Sequence, residues 1–158
     1  MSDFSHFDAQ GRAVMVDLTD KAETDRVAVA RGTVTMRPET LALIRSGGVK
    51  KGDVLSVARI AGIMGAKRTP DLVPLCHPVP LGSVEIDITL ADAPPAVEIE
   101  AKCRLTGRTG VEMEALTAVA VAALTIYDMC KSVDRSMIIG EVRLVRKSGG
   151  RSGEWNAA

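Results

Sequence analysis

Aromatic side chains are almost absent from this chain: Phe4, Phe7, Tyr127 and Trp155 are the only four in 158 residues. Net charge is absent too, because 20 Lys and Arg offset 20 Asp and Glu. A nucleic-acid groove needs a basic footprint and ring platforms for stacking, so both shortages argue against one. An RNA-binding sheet fails on the same count, for want of aromatic residues on its strands. Cysteine is scarce and odd in number, Cys76, Cys103 and Cys130, with no CxxC pair. That argues against a disulfide framework or a structural zinc site and favours a reducing compartment, the cytoplasm. Met1 to Gln10 lacks the apolar stretch of a secretory signal, and the longest nearly apolar run, Ala115 to Tyr127, falls short of the ~20 residues of a membrane span. That run is expected to be a buried helix.

Present instead is ordinary soluble composition, 46% hydrophobic and 25% charged, in a chain long enough for one domain that buries about two thirds of its unfolded surface. We expect a flexible start over residues 1–12, one catalytic domain over 13–146, and a flexible Gly/Ser-rich tail over 147–158. Arg26 to Met36 is rich in β-branched residues and reads as a strand. Pro38 suits the first position of a helix that Gly47-Gly48 ends. Asp53 can cap the next helix, VLSVARIAGIMGAK, whose Val54, Val57, Ile60, Ala61 and Met64 recur at helical spacing and read as its core face. Pro70, Pro74, Pro78 and Pro80 are expected to break the stretch TPDLVPLCHPVPLG into a stiff extended loop.

Apolar and polar residues alternate from Val84 to Leu90 and from Val97 to Leu105, the pattern of an antiparallel hairpin with one wet face. Thr109 and Glu112 stand at capping-box spacing before a long helix ending near Lys131, and MIIGEVRLV supplies a fourth strand. The order β-α-α-β-β-α-β is that of an α+β ferredoxin-like sandwich: a four-stranded antiparallel sheet with its helices on one face. The long helix is apolar around most of its circumference, more than one sheet face can cover. That predicts a homo-oligomer in which its alanines let neighbouring helices approach.

Walker, GxGxxG, GxSxG and HExxH signatures are all missing. Leu75-Cys76-His77-Pro78 is braced by prolines on both sides, which holds its side chains still. On the long helix Glu114 and Asp128 project only ~40° apart, and Asp128 and Lys131 are i, i+3 neighbours. By themselves these charges read as a solvated ion pair; on an otherwise apolar helix they can also have pKa values shifted to suit proton transfer. Fourteen residues at ~1.5 Å each put Glu114 and Asp128 roughly 21 Å apart, so a shared small-molecule site requires two antiparallel copies. Lys50, Lys51, Lys67, Arg68, Lys131, Lys147 and Arg151 could converge on a polyphosphate, with KSGGRSG as a flap.

The strings MVDLTDK, VTMRPET, KKGDVLSVARIAGIMGAKRTPDLVPLCHPVPL, RTGVEMEALTAVAVAALTIYDMCKSVD and KSGGRSG resemble the molybdenum cofactor biosynthesis protein C family over residues 14 to 153. The resemblance implies a ferredoxin-like unit assembled as a hexamer, a trimer of dimers with active sites at dimer interfaces. It also implies a lyase that converts 3′,8-cyclo-7,8-dihydroguanosine 5′-triphosphate to cyclic pyranopterin monophosphate and pyrophosphate. By matching motifs, Asp128, Lys131 and Lys51 are implied to be catalytic. Leu75, Cys76, His77, Glu112, Met113 and Glu114 are implied to line the substrate, and Arg26, Lys67, Arg68 and Lys147 to serve the triphosphate or proton transfer. No metal ligand set is implied and no tightly bound cofactor is expected; any Mg²⁺ would arrive with the triphosphate. The chain departs from the family pattern at Gly65, Arg146 and Arg151, none of them in the DxxK, LCHP or VEME strings. The competing reading is a non-catalytic ligand sensor, which would keep the lysines and have no need of the Asp128 and Lys131 pair.

Overall fold

The computed structural model describes residues 4–158. Strand β1 (Thr24–Thr35) leads into helices α1 (Pro38–Ser46) and α2 (Val54–Leu72). The hairpin β2 (Ser83–Asp92) and β3 (Pro95–Gly107) comes next, then helix α3 (Glu112–Cys130), strand β4 (Ile138–Ser148) and the two-residue β5 (Trp155–Asn156). The sheet order is β2-β3-β1-β4-β5, antiparallel at every pairing. Apart from β5 this is the expected ferredoxin-like order. The tail region therefore contributes to the sheet at both ends: β4 runs through Lys147 to Ser148, and Lys147 pairs with Trp155.

The inward faces of the central strands show why α3 can lie so close. Ala28, Ala30 and Val34 of β1 and Val97, Ile99, Ala101 and Cys103 of β3 are almost fully buried. A Cβ at Gly32 would come within 2.6 Å of Val119. Small residues there let the helix sink onto the sheet, and the large side chains of the helix fill the rest. β2 is an edge strand, so of its expected inward residues only Ile86 is buried, while Val84, Ile88 and Leu90 are partly covered.

Three sequence-based expectations are corrected. Pro70 does not end α2; it lies inside it. A proline at this position has no N–H for the carbonyl of Ala66, and the hydroxyl of buried Thr69 donates to that carbonyl at 3.0 Å instead, and to Gly65 at 3.1 Å. The extended loop therefore begins only after Leu72.

The core face of α2 is also rotated from its expected position. Val54, Ala58, Gly62, Gly65, Ala66 and Thr69 are buried, whereas Val57, Ile60 and Met64 are exposed. A Cβ on Gly62 would meet Ile86 at 2.4 Å and the Ala118 carbonyl at 3.0 Å, and one on Gly65 would meet Val121 at 2.8 Å. The face with the smallest side chains faces inward because α3 passes too close for larger ones. Alanines on α3 such as Ala118 and Ala122 meet α2 of the same chain, which covers part of the circumference that the sheet leaves open.

Finally, no capping box forms. Val111 is the N-cap of α3 and makes no side-chain cap hydrogen bond. Glu112 turns away from Thr109, folding over Gly110 toward Lys147 at 3.7 Å. Asp53, by contrast, caps α2 as expected, its carboxylate accepting from the Ser56 amide at 3.0 Å, and Gly47 at φ 73° closes α1. Helix α3 is long and apolar enough to cross a membrane by length and composition alone, but it is the core helix of the sandwich, buried along the sheet and α2.

Candidate functional site

The two ends of α3 carry the charged residues, and the fold gives them opposite surroundings. At the N-terminal end, the proline-braced segment after α2 lies over the first turn of the helix. Between them is a cavity of about 550 Å³ lined by Leu75, Cys76, His77, Glu112, Met113 and Glu114 among others. His6 and Ala13, from the segment before β1, close one side.

Glu114 is 1% exposed and its Oε1 lies 3.6 Å from the Cys76 sulfur. Burial pushes the Glu114 carboxyl above its ordinary range, which backbone and thiol hydrogen bonds only partly oppose. The same burial, with the neighbouring Glu114, pushes the Cys76 thiol up to about 11. Both shifts favour the protonated forms, which suit hydrogen-bonding a ligand and make the thiol a poor nucleophile. Glu112 is less buried and is answered by Lys147, whose ammonium also reaches Ser152. Glycine at position 110 leaves room for this placement: a Cβ there would fall 1.9 Å from the Glu112 carboxylate and displace that side chain.

At the other end of α3, Asp128 is exposed between two lysines. Lys131 Nζ lies 2.7 Å from Oδ1, and Lys51 Nζ lies 3.1 Å from Oδ2 and 3.0 Å from the Asp128 carbonyl. Hydrogen bonds and charge from Lys131, then from Lys51, hold the Asp128 carboxyl below its ordinary range. Lys51 comes from the glycine-containing turn between α1 and α2, so the cluster joins residues 77 apart in sequence.

The turn after α3 is fixed by Asp134, which is 2% exposed. Its carboxylate accepts from the Arg37 amide, the Thr40 hydroxyl, and the amide and hydroxyl of Ser136, all at 2.6–3.0 Å. Burial alone would raise this carboxyl, but these donors outweigh it and hold it below the ordinary carboxylate range. Asp134 thereby ties the start of α1 to the end of α3.

Of the residues marked by resemblance, one chain brings together Leu75, Cys76, His77, Glu112, Met113 and Glu114, with Lys147 beside them. It also brings together Asp128, Lys131 and Lys51. It does not unite the two groups. Lys67 and Arg68 lie on the outer side of α2, Arg68 facing Asp71 at 3.4 Å, and they line none of these cavities. Arg26 lines a second cavity together with Lys21, Arg108 and Arg151. Residue spacing assigns no role to His6, Lys21, Arg108 or Asp134. Lys21, Arg108 and Asp134 each stand at the end of one of the family-like strings, the one signal that could have drawn attention to them.

Residues 15–150 match the family model described as MoaC family. A protein of Roseiflexus sp. named cyclic pyranopterin monophosphate synthase is 64% identical over 155 residues, covering 98% of each chain. Proteins of the same name from Thermomicrobium roseum and Dinoroseobacter shibae are each 60% identical, over 98% and 99% of this chain and 93% and 99% of their own.

Proposed function

The chain belongs to the MoaC family, and we propose that it is an enzyme of molybdenum cofactor biosynthesis, a lyase that turns the cyclised guanosine triphosphate derivative into cyclic pyranopterin monophosphate and pyrophosphate. The observation that carries this reading is the Asp128 carboxylate held between Lys131 at 2.7 Å and Lys51 at 3.1 Å. A non-catalytic ligand sensor has no need of it.

Opening the five-membered ring of a purine and rebuilding it as a pterin is a sequence of proton transfers, and positioned acid–base groups contribute about 10²–10⁴-fold to such steps. Asp128, kept ionised by its neighbours, accepts a proton, and the Lys131 ammonium donates one. Lys51 holds Asp128 and supplies a second ammonium. Closing the cyclic phosphate requires a substrate hydroxyl to attack the innermost phosphorus. Its proton passes to a base, and the bond to the next phosphate breaks, with pyrophosphate taking the electron pair. Cations in place before the reaction stabilise that leaving charge.

Glu112, Met113, Glu114, Leu75, Cys76 and His77 hold the ring system at the other end of α3. Since Asp128 lies roughly 21 Å from Glu114 along the helix, a second copy must bring its Asp128 end to this pocket. The apolar residues left uncovered on α2 and α3 support a partner: Val57, Ile60, Met64, Leu72 and Leu124 are 42–62% exposed. A hexamer built as a trimer of dimers, in the cytoplasm, is what the resemblance implies. Any Mg²⁺ enters with the triphosphate, and no tightly bound cofactor is required.

Incubation with the cyclised nucleotide tests the reading directly. Pyrophosphate and an oxidisable fluorescent pterin should appear together, and neither should appear with Asp128→Ala or Lys131→Ala. Unchanged product from both variants would reject the catalytic assignment. Mixing Asp128→Ala chains with Glu114→Ala chains should restore part of the activity in the mixed dimers. No recovery there would count against a shared site.

A further inference from the structure

The sequence has only two histidines, His6 and His77, and both line the cavity over the first turn of α3. His77 comes from the proline-braced segment, and His6 from the stretch before β1, to which residue spacing gives no role. Beyond them the wall offers aliphatic side chains such as Leu75 and Met113 and the carboxyls of Glu112 and Glu114. Among the described residues no Phe, Tyr or Trp lines it. The two imidazoles are therefore the only planar rings on the cavity wall.

A small hairpin carries His6 to this place. Phe7 and Ala13 pair as an antiparallel bridge, the Val14 amide donates to the His6 carbonyl at 3.0 Å, and the Asp8 amide donates to the Arg12 carbonyl at 2.9 Å. Asp8 closes the turn: its carboxylate accepts from the Gln10 and Arg12 amides at 2.9 Å and from Arg12 Nε at 2.8 Å, and Gly11 takes φ 75°. Among the described residues, every hydrogen bond and ion pair of residues 4–16 stays inside that stretch. The first tie to the body is Arg108 Nη1, which donates to the Thr19 carbonyl at 3.1 Å. The hairpin also buries little: Phe4 and Phe7, edge to face at 6.4 Å, are 84% and 55% exposed. A unit bonded to itself, with little buried surface and no hydrogen bond to the body, can swing as one piece at low cost.

We propose that this hairpin is the lid of the cavity and that His6 is its contact with the substrate, laying its imidazole on the face of the bound heterocycle. The proposal rests on the reading of this cavity as the pocket for the substrate's ring system. Carboxyls recognise such a ring along its N–H edge and leave its faces uncovered. A flat heterocycle stacks on an imidazole, so a histidine brought in from the hairpin supplies what the aliphatic wall lacks. Closure also keeps water away from a ring that is opened and rebuilt. Asp8 is the positioning residue, because its carboxylate sets the turn that holds His6 in place.

Hydrogen exchange of residues 4–15 in the full chain reads the lid directly, with pterin formation measured in parallel. GTP is the probe that carries a purine and a triphosphate, and inorganic triphosphate is the probe that carries the charge alone. GTP should slow exchange at the Asp8 and Val14 amides, and inorganic triphosphate should leave it unchanged. His6→Ala should raise KM for the cyclised nucleotide by about tenfold, the size of one stacking contact, and change kcat less. His6→Phe, which keeps a flat ring, should restore most of that loss. Asp8→Ala should raise KM by a smaller factor and leave the melting temperature unchanged, because the turn is bonded only to itself. Arg45→Ala, paired with Asp92 outside the cavity, should leave KM as it is. All three hairpin substitutions lie outside the core, so the fold is not at stake. Exchange as slow without nucleotide as with it would mean that a second copy already clamps the hairpin, and would overturn the proposal. Equal protection by inorganic triphosphate, or a His6→Phe chain as impaired as His6→Ala, would overturn it too. Pterin formation with an unprotected hairpin would remove the lid and leave the reaction standing; GTP-dependent protection without any pterin would leave the lid standing and remove the reaction.

Discussion

The two ends of α3 carry the same kind of side chain and treat it in opposite ways. Glu114 is enclosed beneath the LCHP segment, with the Cys76 thiol 3.6 Å away, and its carboxyl is pushed up by burial. Asp128 is open to solvent between two ammonium groups and its carboxyl is pulled down. The difference teaches that residue type does not set the protonation state. Burial shifts Glu114 toward its acid form because its few hydrogen bonds only partly replace lost hydration, and Asp128 is shifted toward its ionised form because two ammonium groups face it. One helix sequence thus biases one carboxyl toward its acid form and the other toward its base form.

The comparison is sharpened most by removing a partner at the open end. Lys131→Ala should lower pterin formation by about 100-fold or more. It should shift stability by less than ~1 kcal/mol, because the pair is exposed and screened. A large loss of melting temperature with little loss of rate would invert the assignment and make the cluster structural.

Asp134→Ala should do the reverse. It leaves the buried Thr40 hydroxyl without its partner and frees the Arg37 and Ser136 donors that define the turn, and should cost about 2–4 kcal/mol. In thermal unfolding that is a Tm lowered by roughly 5–12 °C for a chain of this size. A Tm within a degree or two of the parent would mean that the turn is not anchored there.

Glu114→Gln tests the closed end through pH. A carboxyl whose folded pKa lies above its unfolded one contributes stability that is fully present below the unfolded pKa and lost as pH rises through the folded value. The glutamine variant should therefore gain on the parent as pH rises, with the two converging in acid, as read from denaturant midpoints at a series of pH values. Parallel curves would show that Glu114 is not held protonated. The smallest effect belongs to Arg45→Ala, which breaks an exposed pair with Asp92 remote from both ends and should change stability by less than ~0.5 kcal/mol.

Most of the architecture was legible in the residues. The alternation along β3, Pro38 and Gly47 at the ends of α1, and the Asp53 cap of α2 each express a local rule that the structure obeys. The errors share a cause. Thr69 rescues the helix at Pro70, the glycine stripe of α2 faces inward because α3 crosses it closely, and Glu112 leaves its capping position for Lys147. Each outcome depends on a neighbour that sequence spacing does not reveal. The site divides in the same way: the Asp128 and Lys131 pair was visible as an i, i+3 step, while the Lys51 contact and the Asp134 anchor join segments far apart in the chain.

By itself the sequence determined the order of strands and helices, the residue types able to carry acid–base chemistry, and the family whose motifs it shares, because periodicity, caps and motif strings are local properties. Only the tertiary structure decided which carboxylate is buried and which is paired, which face of α2 points inward, and that four cations surround one cavity. Burial and electrostatic potential depend on what packs nearby, and packing is set by contacts between segments that the chain order leaves apart.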